Sequence, residues 1–194
     1  MTHKILLFVF VLLSFPSFSF AQCDPVLIPF EEYALRSVSS EDGTNVAANA
    51  LDGNVETLFR TSGNTPFPHE LQIDLGSVRA LTQLILTPPP SNVNGKLAEY
   101  EVYVSVDGED WGEAQAAGLL VYDGFGDTAD QIIDFGAVDG RYVRLVGLSN
   151  YDVSNVHRWL LAELSIAENP CGSSEKRNQT IDFEVIEKKQ TTGQ

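Results

Sequence analysis

The chain has 194 residues, which after a leader is set aside leaves one domain's worth, about 150 residues, enough to bury a sizeable core. Asp and Glu number 27 against 12 Lys and Arg, a formal net charge of −15. That balance argues against nucleic acid and against a purely electrostatic grip on anionic membranes, and it suits an extracellular protein that stays soluble and holds Ca²⁺.

The first 22 residues read as a signal peptide. Lys4 supplies the positive start, residues 5–13 are apolar, and Ala21 lies near the expected cut. The run is too short and too Pro-interrupted for a membrane span, which needs about 20 apolar residues. The expected location is therefore secreted or cell-surface, with no transmembrane segment. Cys23 and Cys171 bracket the following region, residues 23–171. In an oxidising compartment an even cysteine count reads as a disulfide. The alternative is lipidation of Cys23. It ranks second because Gln22 stands where bacterial lipoprotein signals place a small residue.

Period-two alternation runs through this region, with no helical stripe. Leu71, Ile73 and Leu75 alternate with Gln72 and Asp74, which gives one apolar face. Residues 80–86 are mostly apolar and end at Pro88, Pro89 and Pro90, which cannot continue a ladder. Val102, Val104 and Val106 share a face before the Asp107-Gly108 turn signal. Further strands are predicted at 119–122, 131–135, 142–148 and 160–166. Short strands divided by Gly, Asn, Asp and Pro predict an all-β sandwich. Beyond Cys171, residues 172–178 form a polar linker. Residues 179–194 are then either a flexible tail or the start of a further unit. The alternation of Ile181, Phe183 and Val185 resembles the first strand of bacterial immunoglobulin-like repeats and favours the latter.

Five pieces occur in a recognisable order: Leu51-Asp52-Gly53-Asn54, Leu71-Gln72-Ile73-Asp74-Leu75-Gly76, Tyr103-Val104-Ser105-Val106-Asp107-Gly108, Gly140-Arg141-Tyr142-Val143-Arg144-Leu145, and Ala162-Glu163-Leu164. Together they resemble the discoidin, or coagulation factor 5/8 type C, family, whose bacterial members include galactose-binding-like carbohydrate-binding modules. The resemblance implies a jelly-roll β-sandwich with binding loops gathered at one end and no chemistry of its own. An end-to-end disulfide is common in that family.

Calcium takes six to eight oxygen ligands, mixing carboxylates with carbonyls. Asp52 supplies a carboxylate, Gly53 allows a sharp turn, Asn49 and Asn54 offer carbonyls, and Thr61 or Ser62 adds a hydroxyl or carbonyl. The Ala162-Glu163 pair closes the site from the last strand. Sugar-binding relatives hold a calcium at the matching place, so a structural Ca²⁺ is expected. The competing reading is a type I turn capped by Asp52 with Glu163 solvated.

For a ligand, Glu41 and Asn94 match the family's sugar-contacting Glu and Asn. Arg60, Gly63 and Pro89 stand where its His, stacking Trp and sugar-gripping Arg would fall. Losing a stacking platform and a bidentate donor removes most affinity for a small polar ligand, so galactose specificity does not carry over. Tyr151, His157 and Trp159 supply aromatic faces and donors in one irregular stretch and stand as replacements, with Arg60 as a cationic donor. Core packing is an equal reading for Trp159, and an ion pair is an equal reading for Arg60. His69 and Trp111 are expected to pack.

The expected function is a non-catalytic carbohydrate-binding module of a larger exported bacterial protein, with a glycan or cell-surface glycopolymer as partner. The alternative is a protein–protein or cell-surface adhesion domain without sugar specificity. A hydrolase is disfavoured, because one small sandwich uses up the chain and no Ser-His-Asp order or metalloprotease motif appears.

Overall fold

The computed structural model describes residues 23–89, 95–123, 126–152 and 156–172. The expected signal peptide, all but the first residue of the linker, the tail and Asn94 lie outside the described residues. Among the described residues, nine strands and two 3₁₀ turns follow in order: β1 (Val26–Leu27), η1 (Phe30–Glu32), β2 (Ala34–Val38), η2 (Ala47–Leu51), β3 (Phe59–Arg60), β4 (His69–Thr87), β5 (Glu99–Ser105), β6 (Ala116–Leu119), β7 (Gln131–Gly147), β8 (Leu160–Leu161) and β9 (Glu163–Glu168). Every pairing is antiparallel. The fold is the expected all-β jelly-roll sandwich.

Two long strands build both layers. The first half of β4 pairs with β2 and with the second half of β7, while the second half of β4 pairs with β9 and the first half of β7. The register slips between Asp74 and Arg79, where Gly76, at φ 72°, and its exposed neighbours Ser77 and Val78 turn the strand from one layer into the other. The separate strands expected at 71–75 and 80–86 are thus two halves of one bent strand. The pairs expected at 131–135 and 142–148 likewise merge in β7. Leu71, Ile73 and Leu75 meet Leu81, Leu84 and Leu86 in one buried cluster, each side chain contributing about 1.5–3 kcal/mol by leaving water.

Two expectations are corrected. The strand predicted at 119–122 lies earlier, at β6, because Leu120 turns into the core and its N–H donates to Ala98 O at 2.9 Å. Val106 does not continue the face of Val102 and Val104. It is 54% exposed, since Ser105 already starts the turn, its hydroxyl donating to Asp110 O and accepting from Gly108 N–H.

Cys23 and Cys171 are joined, with Cα atoms 6.2 Å apart, and so tie the start of the domain to its end beside the β1–β9 pair. Trp111 packs on the outer sheet face, with the Arg144 guanidinium 4.5 Å from its ring centroid.

Candidate functional site

The turn after η2 gathers oxygen atoms. The Thr57 hydroxyl lies 3.0 and 3.1 Å from the two Asp52 carboxylate oxygens, 3.1 Å from Asn49 O and 2.8 Å from Asn54 O. A hydroxyl has one proton to donate, so most of these contacts set one oxygen against another. The loop holds this shape by its own bonds: Asn49 Nδ2 donates to Leu58 O at 2.9 Å, and Asn54 N–H donates to Asp52 Oδ1 at 2.8 Å. Gly53, at φ 73°, makes the turn, and a Cβ there would come within 3.1 Å of the Phe30 ring.

Strand β9 runs against η2 and brings Glu163 beneath this turn. Glu163 is 3% exposed, and neither of its carboxylate oxygens meets a donor in hydrogen-bond geometry. Burial pushes its carboxyl up to about 7, and the nearby negative charge of Asp52 adds to the rise. The N–H groups of Leu164, Gly53 and Asn54 approach and hold the rise back without reversing it. A buried carboxylate left without a partner costs several kcal/mol when ionised unless a cation or proton meets it. The donor set fits a hard cation: two carboxylates, the Asn49 and Asn54 carbonyls and the Thr57 hydroxyl. Among the described residues no three acidic, His or Cys side chains converge as a metal cluster.

This geometry alters the ligand set expected from sequence. The hydroxyl beside Asp52 belongs to Thr57, not to Thr61 or Ser62. Thr61 is fully buried and its hydroxyl accepts the Trp159 N–H at 2.8 Å, while the Ser62 hydroxyl accepts from Asn64 N–H. Thr57 stands five residues after Asp52, a spacing that returns a turn onto its first residue, and that spacing was the available signal. Ala162 is buried beside Glu163 and its N–H donates to Thr87 O at 3.0 Å.

A second feature lies at the loop end. Pro66, Phe67, Leu148, Ser149, Asn150 and His157 line an open cleft of about 340 Å³, with Asp152 and Val156 at its margin. Asn150 braces the loop beside it, its Nδ2 donating to Val156 O at 2.8 Å and to Arg158 O at 2.6 Å. Sequence reasoning did not single it out. His69, fully buried at the start of β4, donates from Nε2 to His157 O at 2.7 Å and meets the Ser39 hydroxyl at 3.3 Å. Burial lowers its pKa, which favours the neutral ring, and its two bonds staple two loops together.

The expected ligand residues separate. His157 lines the cleft, its ring centroid 6.0 Å from that of Phe67. Tyr151 sits beside it, 37% exposed, its hydroxyl donating to Leu120 O and its ring edge-on to Tyr122. Glu41 accepts the Ala47 N–H at 2.7 Å and so fixes the entry of η2. Arg60 is ion-paired with Asp42 at 3.0 Å. Trp159 is corrected to a core residue. It is fully buried and packs edge-on against Phe59, ring centroids 5.5 Å apart, so it has no face for a ligand. Trp159→Ala should cost about 3–5 kcal/mol, seen as a lowered denaturation midpoint. Gly63 also has a structural reason: a Cβ there would come within 2.8 Å of Val156 Cγ1. A stacking side chain at this position has no room.

The profile of the F5/8 type C domain matches residues 35–163, about two thirds of the chain. The chain belongs to that family. As an F5/8 type C domain it is 35% identical over 113 residues to a sialidase of Micromonospora viridifaciens, covering 56% of this chain and 16% of that enzyme. It is 31% identical over 140 residues to a galactose oxidase of Gibberella zeae, covering 69% of this chain and 19% of the oxidase. The chain therefore spans less than a fifth of the curated relatives it matches. Among solved structures it is similar to a family 32 carbohydrate-binding module from a family 31 glycoside hydrolase of Clostridium perfringens. The TM-score is 0.68 at 22% identity, covering 73% of this chain and 94% of that one. It is also similar to the family 32 module of C. perfringens NanJ in complex with galactose, with TM-score 0.64 at 23% identity and coverage of 75% and 100%. The structural likeness shows the fold.

Proposed function

We propose that this domain is a non-catalytic carbohydrate-binding module of an exported, larger bacterial protein, presenting its ligand surface at the loop end of a calcium-stabilised sandwich. The observation that carries the reading is the open cleft lined by Phe67 and His157, held by Asn150 and by the buried His69. Ring faces beside polar side chains are what sugars require: C–H surfaces pack on rings while hydroxyls find hydrogen-bond partners. Family membership supports it, as does the galactose held by one relative of the same fold. The small share of each curated enzyme that this chain matches supports a module working beside other domains. The apolar run at residues 5–13 behind Lys4 supports export.

Ca²⁺ would be held by Asp52, Glu163, the Asn49 and Asn54 carbonyls and the Thr57 hydroxyl. It would supply the positive charge that two facing carboxylates lack. The residues themselves set the loop: Thr57 and Asn49 close the turn, and Glu163, at the start of β9, lies beneath it and would meet it through the ion. No group here is asked to react with substrate.

A glycan array probed with the full chain should give signal on a defined glycan class, and His157→Ala should lower affinity at least tenfold by calorimetry without moving the melting temperature. No binding to any glycan, together with saturable binding to a purified cell-surface protein, would replace this reading with adhesion.

A further inference from the structure

The loop cleft does not end at Leu148. On the outer face of the β5–β6 edge lies a second cleft of about 470 Å³, lined by Glu99, Glu101, Ala117, Leu119 and Leu148 above Tyr100 and Gly118. Leu148 lines both clefts. The two are also bridged by polar contact, because the Ser149 hydroxyl, in the first, meets the Glu99 carboxylate, in the second, at 2.9 Å. Leu148 is 38% exposed and Leu119 58% exposed, so an apolar strip continues from the loop end onto the sheet edge.

We infer that the two clefts form one groove that takes an extended amino-sugar polymer, bound through several residues of the chain rather than through one terminal sugar. This rests on the carbohydrate-binding reading and names its ligand class. Each cleft falls in the size range of a pocket for one small ligand, roughly 300–1,000 Å³, so a ligand filling both spans two or more sugar units. The charge of the groove selects among polymers. Among the described residues, Glu99, Glu101 and Asp152 line it and no Lys or Arg does. Glu99 accepts from the Ser149 hydroxyl and Glu101 from the Tyr103 hydroxyl, and each carboxylate keeps lone pairs for a further donor, which an ammonium supplies with a complementary charge. The net charge of −15 favours approach of a polycation to the protein and disfavours uronic-acid polymers. Linking two weak contacts through one chain raises affinity steeply, because the second contact forms at high effective concentration.

The test is calorimetry on the full chain with glucosamine oligomers of two, four and six units. Their N-acetylated counterparts, neutral gluco-oligomers and oligogalacturonate of matching length serve as comparators. The tetramer of glucosamine should bind at least tenfold tighter than the dimer, at least tenfold tighter than the N-acetylated tetramer, and progressively weaker as salt rises. The Glu99→Gln/Glu101→Gln double variant should abolish the preference for the amine. Leu119→Ser should leave the tetramer binding no better than the dimer, with melting curves confirming that both variants are folded. Equal affinity for glucosamine and N-acetylated or neutral oligomers would overturn the amino-sugar assignment while sparing the carbohydrate reading. Length-independent affinity would overturn the joined groove. Binding of no oligomer would overturn the groove and its amino-sugar ligand, and the carbohydrate reading would then be decided by the glycan array.

Discussion

Calcium added to chelator-treated protein is expected to raise the melting temperature by about 5–10 °C. An ion present at a hundred times its dissociation constant stabilises by about 2.7 kcal/mol, and each kcal/mol moves the midpoint of a domain this size by about 2–4 °C. Asp52→Ala should abolish the gain. The behaviour of Glu163 makes the test sharper, because burial pushes its carboxyl up to about 7 in the folded protein against the ordinary glutamate value of 4.5. Without metal, the folded state therefore holds a proton that the unfolded state has released between these two values. Stability from this group is complete below 4.5, falls as pH rises toward 7, and stays low above it, a loss of about 3 kcal/mol. Glu163→Gln carries no charge to bury. In chelator at pH 8 it should be more stable than the parent chain by about that amount, and it should show no response to calcium. Saturating calcium should flatten the pH slope of the parent, since the ion takes the place of the proton. Melting curves from pH 4 to 8, with and without chelator, check all of this, and a calcium-independent midpoint would remove the metal site.

The sequence made the sandwich readable because its alternation is unbroken where one face is buried: Leu71, Ile73 and Leu75 point inward as the pattern requires. It did not reveal that the strands around Gly76 and across 131–147 are single bent strands, because periodicity looks the same on either side of a corner. Asp52 and Glu163 are far apart in the chain, and only the ordered family resemblance linked them. Which hydroxyl faces Asp52 depends on how tightly the turn closes. The sequence reading therefore names Thr61 or Ser62 and passes over Thr57, although Thr57 stands closer to Asp52 in the chain. Trp159 shows the limit from the other side. An aromatic in a polar loop suits a ligand as well as a core, and only the Phe59 ring behind it decides.

Removing the disulfide is expected to have the largest effect on stability. Cys23 and Cys171 are 148 residues apart in sequence, so the bridge closes almost the whole domain into one loop. In the chain-entropy picture a loop of that length restrains the unfolded state by about 5 kcal/mol, with native strain as the usual discount. The native contribution is local by comparison. The bridge pins β1, a two-residue edge strand with Val26 and Leu27 half exposed, against the end of β9. The core around Leu71, Leu84 and Leu164 does not depend on it. The Cys23→Ser/Cys171→Ser variant should therefore fold to the same sandwich, with an unchanged far-ultraviolet spectrum, while its midpoint falls by about 10–20 °C. Amide exchange should rise first in β1 and at the end of β9 and last in the centre of β4, because opening begins where the fewest buried contacts hold the chain. A mass spectrum of the native protein showing two free thiols would overturn the bridge. A variant as stable as the parent would mean that its unfolded chain is already as restricted as the bridged one.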